Sequence, residues 1–413
     1  MIKRELTKVL LRRATEFPVI TVTGPRQSGK TTLVRECFSK HTYVNLEDPE
    51  TRELAETDYK RFFTLYKPPI IVDEIQRVPQ LASVIQTLVD EKRRKCGQFI
   101  LTGSHQPKLK ETVTQSLAGR SAFLKLLPLT FSEMASAPKR LEMTADALIL
   151  RGGMPELAIT KTDPNVYYRN YLQSYVERDV RQIANIRNTS PFNRFLTLLA
   201  GRVGQLVNLN SLSGEVGVSH TTLAGWLDIL EASFIVFRVQ PYFANIGKRL
   251  VKTPKIYFTE TGLAACLLGL KTAEQVSRDP LRGNLFENLV VSDLLKQSLN
   301  RDDESELFFS TSEYLHKIEP AASSARGLAR MSIKKGNMDE AISYYKQAIE
   351  LEEDNADKAK YYYELATVQF SLHSFSAAKS SALSAASLKE GWGDPYILLG
   401  TIYAAGAPGI GSE

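Results

Sequence analysis

One short segment of the chain has the residue types and the spacing to hold a phosphate group. Gly24-Pro25-Arg26-Gln27-Ser28-Gly29-Lys30-Thr31 matches the pattern G-x-x-x-x-G-K-[ST] in full. Such glycines permit a tight loop with inward N–H groups, the lysine reaches the β- and γ-phosphates, and the threonine ligates Mg²⁺. The apolar run 19–22 enters the loop, and a helical pattern beginning at Thr32 leaves it. Residues 24–32 therefore predict a P-loop for a nucleoside triphosphate, with ATP as the expected ligand.

A pair of carboxylates follows the apolar run Pro68-Pro69-Ile70-Ile71-Val72. Acidic residues often cap strands, but a strand that ends in Asp-Glu downstream of a P-loop is typical of nucleotide hydrolases. The pattern predicts that Asp73 holds Mg²⁺ together with Thr31. It also predicts that Glu74 orients or deprotonates the attacking water.

Two further candidates rest on weaker patterns. Ser104, or Thr102 as the alternative, ends the run 98–101 and has a hydroxyl that can bond the γ-phosphate or the water; turn chemistry explains the same residues. Arg120 stands just before another apolar run. It is a candidate arginine finger acting across a subunit boundary in a homo-oligomer, although arginines pair just as commonly with a carboxylate of their own chain.

The elements that must position these residues are short buried strands. Five apolar runs, several of them β-branched, are separated by polar or Gly/Pro punctuation: 18–22, 43–46, 70–72, 99–101 and 122–124. Short apolar runs that alternate with helical patterns indicate a parallel sheet in an α/β domain. The fold class predicted for residues 1–135 is therefore an α/β P-loop NTPase.

These elements, in this order, resemble the AAA superfamily of P-loop ATPases. More closely, the chain resembles bacterial and archaeal AAA ATPases in which a domain of unknown function follows the ATPase. The matching segments lie within about residues 1–309 and are 24–32, 43–49, 72–76, 101–104, 117–120, 127–133, 152–156, 175–180 and 283–288. The resemblance implies that the P-loop strand lies inside the sheet and that a winged-helix-like module follows the ATPase.

The chain divides into five predicted parts. They are an AAA-type ATPase domain at 1–135, a helical connector at 136–190, a winged-helix-like module at 191–270, a truncated start of a nuclease-like domain at 271–309, and tetratricopeptide-like repeats at 310–413. The resemblance predicts nuclease strands after Phe309, but the pattern changes at Ser310. A genuine fusion or a join of two reading frames explains the change, and no nuclease residues are present.

Residues 209–223 have the pattern of a helix-turn-helix, with Ser219 as the cap of the second helix. In that case the segment 219–222, which contains His220, faces a DNA groove. Basic residues in the following region could touch phosphates: Lys248, Arg249, Lys252 and Lys255. Modules of this kind also serve only for packing or protein docking, and fold alone does not decide between these roles.

Small residues recur near the end of the chain. Ala329, Ala366 and Gly400 occupy equivalent places 37 and 34 residues apart. A period near 34 indicates a solenoid of helical hairpins resembling tetratricopeptide repeats, which bind protein partners; a generic Ala-rich bundle is the alternative. From Ser310 onward acidic residues outnumber basic ones by 13 to 10, so the excess that makes the net charge +6 lies before Ser310. This excess of basic residues is compatible with binding to nucleic acid, and equally with a charge that only keeps the protein soluble.

Three scattered cysteines, a charged segment at Met1–Arg13 and the lack of a long apolar stretch indicate a cytoplasmic protein without membrane spans. The favoured function is Mg²⁺-dependent ATP hydrolysis that drives a conformational switch. A DNA-associated ATPase in defence or mobile-element work is one alternative. A nucleotide-regulated protein-interaction scaffold is the other.

Overall fold

The computed structural model describes residues 2–91, 95–104, 116–136, 144–174, 189–242, 253–302, 307–309, 322–389 and 391–405. The chain forms two compact units, Met1–Gln240 with Lys252–Leu307, and Pro241–Val251 with Phe308–Glu413. Several sequence predictions lie outside the described residues: those on Lys248, Arg249 and Lys252, the matching segment 175–180, and the junction at Ser310.

A five-stranded parallel sheet forms the centre of the first unit. Its strands are β1 (Val19–Gly24), β2 (Thr42–Asn45), β3 (Ile70–Asp73), β4 (Phe99–Ser104) and β5 (Ser121–Lys125), in the order β2-β3-β4-β1-β5. Every residue of β1, β3 and β4 is buried. All five predicted strands are present, and the P-loop strand β1 lies inside the sheet, as the resemblance implied. The predicted fold class is confirmed for this domain.

Helices cover both faces of the sheet. They are α1 (Thr7–Glu16), α2 (Lys30–Cys37), α3 (Pro49–Thr57), α4 (Tyr59–Leu65), α5 (Leu81–Glu91) and α6 (Phe131–Ala135), with a short 3₁₀ turn at Ile75–Arg77. One apolar cluster contains Leu10, Ile20 and Leu33, and the other contains Phe62 and Leu101. The carboxyl ends of β1, β3 and β4 therefore meet at one edge of a rigid sheet.

The rest of the first unit is mainly helical. Its helices are α7 (Ala145–Arg151), α8 (Pro155–Ile159), α9 (Pro164–Tyr171), α10 (Thr189–Ala200), α11 (Leu209–Val216), α12 (His220–Ala232), α13 (Thr261–Leu267), α14 (Ala273–Arg278) and α15 (Arg282–Asn300). Strands β6 (Val236–Pro241) and β7 (Lys255–Phe258) pair antiparallel. One hydrophobic cluster joins these helices, from Ile149 to Leu289. In the described residues, the connector, the winged-helix-like segment and α15 thus share one core.

The predicted helix-turn-helix has the expected elements. Helix α11 ends at Gly217, and Ser219 caps α12 by accepting a hydrogen bond from the Thr222 N–H at 3.1 Å. Residues 219–222 are exposed. The antiparallel strands that follow are compatible with a wing, although the assignment as a winged helix stays a prediction.

Helix α15 buries one face in the first unit and exposes another. Its buried residues include Leu285 and Leu289. Phe286, Val290 and Leu294, spaced four residues apart, are 45%, 38% and 47% exposed. Helix α15 therefore has an exposed apolar stripe beside its buried face.

The second unit contains the predicted helical tail. Its described elements are β8 (Phe308–Phe309), α16 (Ala322–Lys334), α17 (Met338–Leu351), α18 (Asn355–Ser371), α19 (Phe375–Leu388) and α20 (Asp394–Ala405). Ala329, Ala348, Ala366 and Ala382 are fully buried, which lets successive helices approach closely. Helices joined by short turns, with small residues between them, are what the repeat pattern predicted. No helix within the described residues is both long and apolar enough to cross a membrane.

Gly262 in α13 supports a close approach of two helices. A Cβ at this position would lie 2.2 Å from the Tyr168 ring and 2.6 Å from the Leu150 carbonyl. We expect Gly262→Ala to lower the free energy of unfolding by about 1–3 kcal/mol, because the added methyl overpacks the core. Urea denaturation followed by circular dichroism measures the change.

Gly225 in α12 provides the matched control, because a Cβ there meets nothing within 4 Å. Gly225→Ala should instead raise the free energy of unfolding by about 0.5–1 kcal/mol. Equal stability of the two variants would contradict the proposed packing at Gly262.

Candidate functional site

The loop between β1 and α2 has the conformation of a phosphate cradle. Gly24 has φ 155°, and a Cβ there would lie 2.1 Å from the Leu126 carbonyl oxygen. Gln27 and Gly29 also have positive φ, 62° and 92°. No larger residue fits at Gly24, so the glycine pattern reflects a real steric requirement.

Lys30 lies under this loop and is buried. Its ammonium donates to the carbonyl oxygens of Gly24 and Pro25 at 3.0 and 2.8 Å. Burial lowers the pKa of Lys30 to about 8, against the opposing field of Glu74 and Asp73. No carboxylate among the described residues forms a hydrogen bond with the ammonium. A buried cation held only by carbonyls is a ready site for an anion.

Asp73, at the end of β3, is surrounded by hydroxyl groups. Thr31 and Tyr43 each donate to its Oδ2 at 2.8 Å, and Thr102 donates to its Oδ1. Burial, and then the hydrogen bond to Asp73, raise the pKa of Tyr43, so Tyr43 stays a donor. Thr31 and Asp73 thus lie within hydrogen-bond distance of each other, and their role as a shared metal site stays a prediction. Thr102, the alternative to Ser104, donates its hydroxyl to Asp73. The hydrogen bond from Tyr43 to Asp73 was not predicted from the sequence.

Glu74 adopts a left-handed backbone conformation with φ 56°, which is uncommon for a residue other than glycine. Gln76 donates from its amide to Glu74 Oε2 and, at 3.0 Å, to Ser104 Oγ. The strand register pairs Ser104 with Gly24 on β1. Gln76 therefore connects two predicted catalytic residues, and its only sequence signal was its place two residues after Glu74.

Arg120 lies at the other end of the sheet. Its carbonyl accepts from the N–H of Val19, the first residue of β1, whereas the P-loop follows the last residue of that strand. Its guanidinium forms an exposed bidentate ion pair with Asp90, with Nε donating to Oδ1 at 2.7 Å and Nη2 to Oδ2 at 3.0 Å. The structure therefore does not bring Arg120 to the site of its own chain, and action on another copy stays a prediction.

The helices after the AAA-type domain form the opposite wall of the site. A cavity of about 580 Å³ is lined on the loop side by residues 26–27, residues 29–32 and Glu74, and on the far side by Pro155, Glu156, Ile159, Tyr171 and Ser174. This volume suits a nucleotide-sized ligand. The far wall was not predicted as part of the site, because α8 and α9 follow the P-loop by more than a hundred residues.

One side chain of α9 contacts the P-loop directly. The Tyr167 hydroxyl donates to Gln27 Oε1 at 2.5 Å. Burial raises the pKa of Tyr167, and the nearby carboxylates of Glu260 and Glu156 add to the shift. Tyr167 is therefore a protonated donor at neutral pH, and it connects α9 to the P-loop.

Buried polar groups hold the wall in place. The Leu129 N–H donates to the Gly153 carbonyl at 2.7 Å, and the Gly153 N–H donates to Glu260 Oε2 at 2.7 Å. Lys296 of α15 forms an ion pair with Glu260 at 2.7 Å, with both side chains at least 94% buried. Because each charged group has a partner, this network can be rigid.

The strand–loop–helix with a buried lysine and a hydroxyl-bonded aspartate defines a P-loop nucleotide-binding fold. Residues 16–135 match the family model of an AAA domain, and residues 143–274 match the model of a domain of unknown function. The chain thus contains an AAA domain followed by a domain of unknown function, as the resemblance implied.

The relatives share this part of the chain. Uncharacterized proteins of Mycobacterium tuberculosis and Mycobacterium bovis are each 34% identical over 305 residues, which is 71% of this chain and 66% of each relative. An uncharacterized protein of Haemophilus influenzae is 26% identical over 335 residues, covering 73% of this chain and 80% of its own length. The chain thus spans about two thirds of the mycobacterial proteins.

Two solved structures are similar at low identity. A STAND-type ATPase with a tetratricopeptide repeat sensor from Pyrococcus horikoshii has 15% identity and a TM-score of 0.27, covering 97% of this chain and 67% of its own. A Walker-type ATPase of Pyrococcus abyssi has 15% identity and a TM-score of 0.41, covering 65% and 96%.

The shifted pKa of Lys30 generates a prediction for ligand binding. Above pH 8 the nucleotide-free protein loses the Lys30 charge, whereas a bound phosphate requires it. Each bound ligand must then recover a proton, so the dissociation constant for ADP should rise about tenfold per pH unit above pH 8. Fluorescence titration of an ADP analogue between pH 7 and 9.5 measures this dependence.

Lys30→Met is the control for that titration. It should bind ADP weakly at pH 7 and show no inflection near pH 8. A wild-type affinity that stays constant to pH 9.5 would show that the charge of Lys30 does not govern binding.

Proposed function

We propose that this protein binds ATP with Mg²⁺ and hydrolyses it, and that hydrolysis changes how the AAA domain packs against the helices that follow it. The observation that carries the proposal is the meeting of Lys30, Thr31 and Asp73 at the carboxyl edge of one sheet. In open α/β sheets, ligands bind at this edge.

The residues present fit both ligands. The Oγ of Ser28 is buried in the loop without a hydrogen-bond partner, and the Lys30 ammonium contacts only carbonyl oxygens. Both features suit a phosphate, which supplies acceptors and negative charge. The Thr31 hydroxyl and the Asp73 carboxylate are the hard oxygen ligands that Mg²⁺ prefers. Mg²⁺ at these residues supplies neutralisation of the phosphate charge.

Glu74 is the residue proposed to position the attacking water. Its side chain lines the cavity, and the Gln76 amide holds one of its oxygens. The other oxygen can then accept a proton from water. The Ser104 hydroxyl, which accepts a hydrogen bond from the same Gln76 amide, can bond the water or the γ-phosphate. Gln76 therefore fixes the distance between the proposed base and the polar side chain opposite it.

The proposed switch rests on the composition of the cavity wall. A nucleotide in this cavity touches α8 and α9 as well as the P-loop. Loss of the γ-phosphate changes the charge beside Lys30 and Glu74, and the Gln27–Tyr167 hydrogen bond can pass a loop movement to α9. A ligand shifts such an equilibrium only by its differential affinity for the two arrangements.

Glu74→Gln tests the hydrolytic assignment. The amide keeps the shape of the side chain but cannot take a proton, so we expect kcat for ATP to fall by about 10²- to 10⁴-fold. Binding of ATP should stay within a few-fold of wild type. Phosphate release, measured with and without duplex DNA, gives the rate.

Glu50→Gln is the matched control, because Glu50 is an exposed carboxylate on α3. Its turnover should equal that of wild type. If Glu74→Gln hydrolyses ATP as fast as Glu50→Gln, Glu74 is not the base.

A DNA-associated ATPase is the second candidate, and one arrangement on α12 favours it. The acidic residues of this helix would repel DNA, but Arg238 on β6 pairs with both Asp228 and Glu231. The first turn of α12 is exposed. This leaves a neutral, hydroxyl-rich helix start of the kind that can approach a DNA groove.

Thr221→Glu tests that candidate. Wild type should bind duplex DNA in 50 mM salt and lose affinity steeply towards 200 mM, because phosphate contacts release counterions. The new carboxylate on the first turn should weaken binding about tenfold without harming the helix, where acidic residues are favourable. Fluorescence anisotropy measures both effects.

Thr87→Glu is the control, since it adds the same charge to an exposed position on α5 of the AAA domain. No binding by wild type at 50 mM salt, or equal binding by the two variants, would exclude α12 as a DNA-reading helix.

A further inference from the structure

Arg4, in the segment before α1, contacts the P-loop from outside the cavity. The arginine is 7% exposed. Its Nη1 donates to the Ser28 carbonyl at 2.7 Å, its Nη2 to the Leu127 carbonyl at 2.7 Å, and its Nε to Glu133 Oε1 at 3.0 Å. One guanidinium thus joins the P-loop, the chain after β5 and α6.

The bond to Ser28 determines how the next peptide group is oriented. A trans peptide is planar, so its C=O and N–H point in opposite directions. A Ser28 carbonyl held by Arg4 therefore turns the Gly29 N–H away from Arg4. Gly29 lines the nucleotide cavity and Arg4 does not. Backbone N–H groups of such loops are the ones that cradle phosphates.

Glu133 keeps Arg4 in position. Its Oε1 also accepts from the Glu5 N–H at 2.7 Å, while its Oε2 accepts from the Thr130 N–H at 3.0 Å in the cap of α6. The side-chain amide of Asn300, the last residue of α15, donates to Glu133 Oε1 at 3.5 Å. The carboxylate is thus held by three other backbone and side-chain groups, and the arginine has a fixed anchor.

We propose that Arg4 is a positioning residue that presets the P-loop for the phosphates of the nucleotide, a proposal that rests on the proposed ATP site. Arg4 acts through the Ser28–Gly29 peptide and touches no part of the ligand. Without Arg4, this peptide can rotate in the free protein. The loop then loses conformational entropy when the ligand binds, and this loss weakens binding.

The geometry requires arginine. Three donors in one plane reach three acceptors in different elements, whereas a lysine ammonium on its flexible stem cannot keep all three. Stability alone is a weak reason for this residue, because buried ion pairs contribute little compared with apolar residues of similar size. Order in the loop is the property that depends on all three bonds.

Affinity for a series of nucleotides tests the proposal in the full-length protein. Arg4→Lys keeps a cation near Glu133 but loses the bond to Ser28. We expect it to weaken binding of ADP and ATP about tenfold each, as for one lost hydrogen bond with its reorganisation. The affinity for AMP, which lacks the β-phosphate, should change less than twofold. The kcat at saturating ATP should stay within a few-fold of wild type.

Arg282→Lys is the matched control, because Arg282 forms an ion pair with Asp146 on the surface. It should bind all three nucleotides as wild type does. Equal losses for AMP and ADP in Arg4→Lys would show a general structural defect and overturn the proposal, as would unchanged ADP binding. If wild type binds no nucleotide, the proposed ATP site itself fails.

A second variant covers the case in which Arg4→Lys does not fold. Arg4→Met with Glu133→Gln removes both buried charges together, and the amide oxygen of the introduced glutamine can still accept from the Glu5 N–H and the Asn300 amide. This double variant should lose ADP affinity at least as strongly as the single one and keep its AMP affinity. ADP binding equal to wild type in the folded double variant would overturn the role of Arg4.

Discussion

The burial of the Lys30 ammonium under the P-loop is the constraint on which the rest of the first unit depends. A buried cation is costly unless nearby groups compensate for its lost hydration. Here two carbonyls contact it directly, while Asp73 and Glu74 act only through their field. Hydroxyl groups occupy Asp73, so this carboxylate does not close an ion pair with the lysine. The positive charge therefore stays directed at the cavity.

The helices after the AAA domain bear on the same constraint, because they supply the far wall of the cavity that Lys30 lines. The buried pair of Glu260 and Lys296 fixes the Gly153 backbone, which in turn bonds Leu129 beyond β5. The domain of unknown function thus lines the cavity beside the P-loop, which is the contact on which the proposed switch depends.

The sequence predicted what depends on local pattern. The five strands, the loop at 24–31 and the pairing of Thr31 with Asp73 follow from short runs and motif spacing. The contacts it missed each involve a side chain outside the motifs: Arg4 with Ser28, Tyr43 with Asp73, and Tyr167 with Gln27. A single arginine or tyrosine has no periodicity, so only the folded chain identifies its partner.

Sheet geometry also separates the two weaker candidates of the site. Ser104 ends β4 and so lies at the same edge as the P-loop, whereas Arg120 precedes β5 and lies at the opposite edge. A strand of five residues spans about 16 Å, which is farther than an arginine side chain extends. A parallel sheet cannot shorten this distance by a local rearrangement. Any contact of Arg120 with a transferred phosphate therefore requires a second copy of the chain, and a monomer that hydrolyses ATP must do so without it.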